Sequence, residues 1–270
     1  MGGSGLASAA QAFDAIAGDF DARFFPWRSV EAQRRAVRRA LAAAFPAGSR
    51  LIEIGGGTGE DALWLADRGY EVLLTDASPA MVAAASAKSG NRVRTAVVSA
   101  ENFPGLAGQL RDEAPFDGAC SVFAALNCVS DLRPFASGLA RMLRPGAPVL
   151  LVLFGTCCPA EIVVECVRGR PRNALRRFRR GDVPARLGGR NFTVRYHRQA
   201  DLRRMLSPWF HLQTHEGVGV FVPPSAAEPW ISSHPRLLRV LEAMDKLAAR
   251  PLAMFGDHVL YRFVRTGAEA

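Results

Sequence analysis

The stretch that most constrains the fold is residues 50–77, RLIEIGGGTGEDALWLADRGYEVLLTDA. Residues 51–54 (LIEI) read as an apolar strand that runs into three consecutive glycines. A short helical run follows and stops at Gly69, and residues 72–75 (VLLT) read as a second strand ending on Asp76. Parallel strands require a crossover of this kind, whereas antiparallel strands need only a tight turn.

The alternation continues. Ser78 and Pro79 restart a helix in the favoured order, cap and then proline at the first turn. Residues 92–98 read as a third strand leading to SAENFP (99–104), and residues 116–122 (FDGACSV) as a fourth. Residues 131–143 place Leu132, Phe135, Leu139 and Leu143 on one helix face, and residues 149–154 form a fifth strand. Strand and helix alternating over 50–154 specify a parallel, doubly wound α/β sheet. Ligands of such sheets sit beyond the carboxyl ends of the strands, next to the switch point.

Before this core, residues 1–12 are expected to lack order, and Phe13, Ile16 and Phe20 stand at helical spacing. Ser29 is expected to cap a helix over 30–44, with Val30, Val37 and Leu41 inward and Arg34, Arg35, Arg38 and Arg39 in water. After it, 161–180 is expected to be helical, 182–189 a loop and 192–197 a short strand. Residues 201–206 read as a helix, 210–215 as a strand, 237–249 as a helix and 258–264 as a last strand.

The five cysteines form no C-x-x-C pair and read as reduced thiols. The first residues show no basic, apolar leader pattern, and the longest apolar run is too short to span a bilayer, so the expected location is cytoplasmic. Charge is uneven: residues 1–155 are neutral, and residues 156–270 carry the whole formal charge of +9.

A glycine turn followed by an acid about twenty residues later is a general nucleotide fingerprint. Two readings compete. From Gly55 the dinucleotide pattern G-x-G-x-x-G fails at Glu60, and from Gly57 it survives only as G-x-G-x-x-A. Glu53, Glu60 and Asp61 flank the turn, where a pyrophosphate would want a free helix N-terminus. A cationic or zwitterionic ligand suits these acids better, such as S-adenosylmethionine with its sulfonium, α-amino group and ribose diol.

Taken together, Glu53-x-Gly55-x-Gly57-x-Gly59, Asp76-Ala-Ser-Pro-Ala-Met81, FDGACSVFAALNCVSDL (116–132) and LARMLRPGAPVLLVLF (139–154) resemble the class I S-adenosylmethionine-dependent methyltransferases over roughly residues 13–155. The resemblance implies a Rossmann-like doubly wound seven-stranded sheet, mostly parallel with an antiparallel last strand, and an inserted helical or lid region after strand five. It implies that Glu53 holds the methionyl amino group and that Gly55, Gly56 and Gly57 admit the cofactor. Asp76 would take the ribose hydroxyls, with Ala77 and Met81 near the adenine. Val122 and Phe123 would flank the methionyl part, and Phe20 would cover the cofactor. The acid that many relatives carry after strand three is Ser99 here, leaving Ala100 backbone or Glu101 for the adenine, with a helix N-terminal acid as the other reading of Glu101.

For the acceptor, residues 121–124 (SVFA) lack the (N/D)-P-P-(Y/F) signature of enzymes acting on planar amino groups, which favours a small-molecule acceptor. Asn127, Tyr196 and His197 are the candidate catalytic residues, each weighed against a structural role. No cysteine has partners at metal spacing, so no metal is expected. The expected division is 1–45 over the cofactor site, 46–156 the cofactor core, 157–200 a basic lid, and 201–270 the rest of the sheet. Residues 168–204 hold thirteen arginines against Asp182 and Asp201, with Phe178, Phe192 and Tyr196 interleaved. They read as a solvated helix or as a grip for RNA, an anionic lipid, an acidic carrier protein or a phosphorylated substrate. In the small-molecule reading, the insertion and 217–235 form the lid.

Overall fold

The computed structural model describes residues 8–269. Two short helices, α1 (Ala9–Asp14) and α2 (Phe20–Phe24), precede the longer α3 (Arg28–Ala44). The core then runs β1 (Arg50–Ile54), α4 (Glu60–Ala66), β2 (Glu71–Asp76), α5 (Pro79–Ser89), β3 (Arg94–Val97), α6 (Phe103–Gln109), β4 (Gly118–Ser121), α7 (Arg133–Met142) and β5 (Pro148–Phe154). Beyond it come α8 (Pro159–Val167), α9 (Pro171–Ala174), β6 (Asp182–Leu187), β7 (Arg190–Arg195) and α10 (Gln199–Leu206). The chain closes with β8 (Phe210–Val218), α11 (Pro235–Ala248) and β9 (His258–Arg265).

Seven strands form one sheet in the order β3-β2-β1-β4-β5-β9-β8. β1 pairs in parallel with β2 on one side and β4 on the other, so the switch point lies at its carboxyl end. β9 runs antiparallel to both β5 and β8, placing its first residues at the carboxyl ends of the parallel strands. Leu51, Ile52 and Ile54 are 0–3 % exposed, as a strand covered on both faces must be. Ile52 and Ile54 pack toward the α6–α7 side, while Leu51 packs with α3, α4 and Leu74. By alternation Glu53 points to the same side as Leu51, a carboxylate on an apolar face.

The β6–β7 hairpin is a separate two-stranded sheet, closed by Gly188 and Gly189 with φ of +54° and +77°. Two positive φ values in a two-residue turn match the twist of the strands they join. Its inner face (Val183, Phe192, Val194, Tyr196) packs on Ala12 of α1. No helix among the described residues is long and apolar enough to cross a membrane.

Several expectations need correction. Of residues 1–12, 1–7 lie outside the described residues, but α1 begins at Ala9 with a capping box from Ser8 and Gln11. Ser29 lies inside α3 rather than capping it, and its hydroxyl donates to Glu228 at 2.7 Å. Residues 161–180 are not one helix: Gly169 (φ +69°) and Pro171 divide α8 from α9. Residues 182–189 are not a loop; most of them are β6, paired from Asp182↔Arg195 to Leu187↔Arg190.

Two of the arginines assigned to water are not there. The side chains of Arg34 and Arg38 are 14 % and 18 % exposed, and both bind Asp61 at the start of α4, Arg38 Nε at 2.7 Å. Arg35 pairs with Glu31 and Glu242 at the surface, and Arg39 is exposed.

Candidate cofactor and acceptor site

The turn after β1 is built from glycines for two different reasons. Gly57 has φ +55° with open space where a Cβ would lie, so its backbone conformation alone demands glycine. Gly55 (φ +67°) is also crowded, because the loop after β4 comes up against it. The amides of Gly55 and Gly56 both donate to the Thr75 carbonyl, and the Gly57 amide donates to Asp76 Oδ2 at 2.9 Å. Asp76 thus closes the turn from the end of β2, while its Oδ1 accepts from the Ser78 amide at 2.8 Å. Burial raises the Asp76 pKa, and the amide bonds from Ser78 and Gly57 oppose that shift.

Glu53 is 2 % exposed, and its Oε2 has no hydrogen-bond partner. Burial first, and then the nearby Asp61 charge, push its carboxyl well above the usual range. The other acids of the turn are spoken for. Asp61 is held by Arg34 and Arg38, and Glu60 lies 3.2 Å from Arg38 and 3.6 Å from Lys88. The inference that three acids attract a cation here therefore narrows to one: Glu53 is the unsatisfied carboxylate.

The first two helices roof this turn. Asp14 accepts from the Ser78 hydroxyl (2.5 Å) and the Ala80 amide (3.1 Å). Asp21 accepts from the Thr58 hydroxyl and pairs with Lys88, each at 2.5 Å. Phe20 lies against Phe24 with ring centroids 4.8 Å apart and planes tilted by 48°, and packs in one cluster with Ile16, Ala17 and Met81. Ala77 is half-buried beside Asp76, and Ala100 is buried in a 3-10 turn after β3. Glu101, next to it, is exposed.

At the end of β4, Val122 is buried, and Phe123 and Ala124 have φ of +54° and +67°. Two successive non-glycine residues in that region are strained and persist only where the surroundings fix them. Here the Ala124 amide donates to the Val152 carbonyl and its carbonyl accepts from the Asn127 amide. The Phe123 ring lies between the Arg34 guanidinium, 5.0 Å away, and the edge of His258 at 5.5 Å.

The three candidate catalytic residues all take up structural positions. Asn127 is fully buried, donating to the Arg195 carbonyl (2.6 Å) and accepting from the Phe154 amide (3.0 Å). It ties β4, β5 and the hairpin together. His197 is 2 % exposed with Nε2 2.8 Å from the Val129 carbonyl, so that nitrogen carries a proton and donates. Burial lowers its pKa. Tyr196 is buried against Phe154, and burial raises its pKa.

The residue missed from the sequence is His258, which reads there as an ordinary strand residue. It stacks on Phe154 at 4.9 Å, and its Nδ1 lies 3.1 Å from Gln33 Oε1. Gln33 in turn donates from Nε2 to Asp257 Oδ2 at 3.1 Å. That order fixes the tautomer: Nδ1 carries the proton, and Nε2 keeps a lone pair. Burial lowers the His258 pKa, with Asp257 opposing, so the ring is a neutral base near pH 7. Asp257 is anchored by Arg177, which also binds Glu161 and the carbonyls of Gly155 and Asp257. The signal was present in the sequence as an Asp-His pair opening an antiparallel strand, which must begin at the ligand-binding end of the sheet.

Fold and site together define a Rossmann-like core with a glycine loop between two carboxylates, Glu53 and Asp76. Residues 51–146 match the family model described as a methyltransferase domain. A comparison with curated proteins returns no match. Among solved structures, the CcbJ methyltransferase from Streptomyces caelestis aligns with a TM-score of 0.57 at 17% identity, covering 95% of this chain and 98% of its own. A DhpI–SAH complex gives 0.56 at 18%, covering 96% of each chain. A chain from work on the conversion of a disulfide bond into a thioacetal group during echinomycin biosynthesis gives 0.50 at 21%, covering 85% of this chain and 80% of that one. Over residues 51–146 the chain is thus similar to a methyltransferase domain, and the group such a domain would hold is S-adenosylmethionine. The residues fit that group. The unpartnered Glu53 Oε2 suits an ammonium, and the open side of Gly57 leaves room for backbone approach.

Proposed function

We propose that the protein methylates a nucleophilic atom of a small-molecule acceptor. The observation that carries this reading is the buried, unpartnered carboxylate of Glu53 beneath a left-handed glycine turn. When bound, S-adenosylmethionine supplies an activated methyl group with a good leaving group. Glu53 would hold its amino group, Asp76 its ribose hydroxyls, and Gly55, Gly56 and Gly57 the close backbone approach. Ala77, Met81 and Ala100 would line the adenine side, with Glu101 at its rim. Val122 and Phe123 would flank the methionyl portion, and Phe20 would form part of the cover.

Transfer needs alignment and, for a protonated nucleophile, a base. A protonated nucleophile that took the methyl group would have to give up its proton to a base in the site. His258 Nε2 is the acceptor of that proton in this reading, with Gln33 and Asp257 holding the ring. His197, Tyr196 and Asn127 would position the hairpin that bounds the acceptor space. The roof of α1, α2 and the hairpin supports a small acceptor over a polymer, as does the absence of an (N/D)-P-P-(Y/F) run at 121–124. The echinomycin-related structure, from a natural-product pathway, agrees with this class. Residues 1–45 would then serve as the cover, 46–156 as the donor core, 157–200 as the acceptor-side lid and 201–270 as the completion of the sheet.

Calorimetry tests the donor half: S-adenosylmethionine should bind and NAD should not, and Asp76→Ala should weaken the methyl donor at least tenfold. Tight NAD binding, or an Asp76→Ala protein with undiminished affinity, would overturn the reading. A methyl-labelled donor with a panel of phenol, amine and thiol acceptors tests the other half.

A further inference from the structure

The thirteen arginines of residues 168–204 differ in how their charge is met. Arg168, Arg176, Arg177, Arg195 and Arg204 each pair with an acid: Glu165, Glu161, Glu161 with Asp257, Asp182 and Asp201. The other eight have no acidic partner among the described residues and are exposed; two of them, Arg198 and Arg203, share a wall. They line one cavity of about 890 Å³ together with Arg177, Arg204, Phe178 and Thr156, and none of its lining residues is acidic. Its size falls within the range of small-molecule sites.

Guanidinium groups that share one concave wall with no acid in it raise the local positive potential and favour an anion there. Their planar forks match phosphate or carboxylate oxygens in pairs. Arg177 is neutralised by its buried partners, and Arg204 has Asp201, so Arg198 and Arg203 carry the uncompensated charge. Two unmet cations on one wall exceed what a single carboxylate would balance. Phe178, 48 % exposed, offers an apolar surface beside them. We infer that this cavity binds a phosphorylated small molecule, with Arg198 and Arg203 on its phosphate.

A nucleic acid fits less well. The aromatics that would stack bases, Phe192 and Tyr196, are 6 % and 8 % exposed and belong to the hairpin core. The inference stands apart from methyl transfer and does not require it.

The test is calorimetry on the full chain with pyrophosphate as probe, at low and at physiological salt. Saturable one-to-one binding is expected, weakened at least tenfold in an Arg198→Ala/Arg203→Ala variant whose S-adenosylmethionine affinity and thermal transition match the parent. Lack of saturable binding, or equal binding by the variant, would overturn the site. Poly(U) or phosphatidylserine vesicles displacing pyrophosphate at lower concentration, and losing affinity in the same variant, would overturn the small-molecule class. Failure of S-adenosylmethionine to bind would count against the proposed function and leave this site as found.

Discussion

Gly55 and Ala125 meet so closely that no side chain fits between them: a β-carbon on Gly55 would stand 2.1 Å from that of Ala125. The two loops that frame the donor site, after β1 and after β4, are therefore packed as one unit. Gly55→Ala must both hold φ at +67° and push that contact apart. A loss of about 2–4 kcal/mol in denaturant unfolding is expected, with donor binding lost alongside. Gly57→Ala meets open space and should cost only the φ penalty, about 1–2 kcal/mol.

Glu53 makes a prediction with an unusual sign. Its folded-state pKa lies above the unfolded value, so the native protein binds the extra proton. Stability contributed by that group is present below the unfolded pKa and is lost as pH rises through the folded one. Glu53→Gln should therefore be more stable than the parent at neutral pH without ligand, with the gap closing on acidification. The same variant should bind S-adenosylmethionine roughly 10–100-fold more weakly, the worth of a hydrogen bond to a charged group. Thermal scans across pH and calorimetry at pH 7 check the two halves.

Arg177 is the buried cation on which Glu161 and Asp257 both depend. Arg177→Ala leaves buried Glu161 with only the half-exposed Arg176 and buried Asp257 with only the neutral Gln33, and should cost about 3–5 kcal/mol. Arg177→Met combined with Glu161→Leu and Asp257→Asn removes the charges together and should recover much of the loss. Urea titrations of the two variants separate these outcomes.

His258 has a depressed pKa, so its contribution to stability is present above the unfolded value and fades as pH falls through 6.5 toward the folded value. Its ring resonances should titrate below pH 6.5 and report the Nδ1–H tautomer. Methyl transfer should rise with pH over that same range and level off by neutrality. His258→Gln should abolish this rise while leaving donor affinity within about twofold, a split that a purely structural role would not produce.

Asp21 holds the roof to the glycine loop through Thr58 and Lys88. Asp21→Asn should raise amide exchange across α1 and α2, leave β1 and β4 protected, and weaken donor binding several-fold. Exchange measured by mass spectrometry with and without S-adenosylmethionine decides the point.

The core strands were legible because each is a short apolar run bounded by glycine, proline or an acid, a pattern that residues such as Leu51, Ile52 and Leu73 display without any knowledge of neighbours. Ser78 and Pro79 announced α5 in the same local way. What failed was everything decided by distant partners. Arg34 and Arg38 have the spacing of a solvated face, and only Asp61, brought beside them by the sheet, turns them inward. Ser29 looked like a cap until Glu228, on a segment far along the chain, claimed its hydroxyl. The hairpin strand at 182–187 contains a proline and two charged residues, and its pairing with 190–195 rather than its composition makes it a strand. Of the site, Glu53, Asp76 and the glycines could be picked out by position, whereas for His258 the sequence offered only an Asp-His pair at a strand start, because its partners Gln33 and Phe123 come from two other parts of the chain.

β9 sits between β5 and β8 rather than at either margin of the sheet. A ribosome delivers residues in order, so β8 is made and must wait with no neighbour in the sheet until residues 258–265 appear. Deleting that segment would not trim a border; it would take out an inner plank and leave two sheet fragments with exposed backbone on facing edges. Truncations that remove residues 258–265 would therefore break the sheet rather than shorten it.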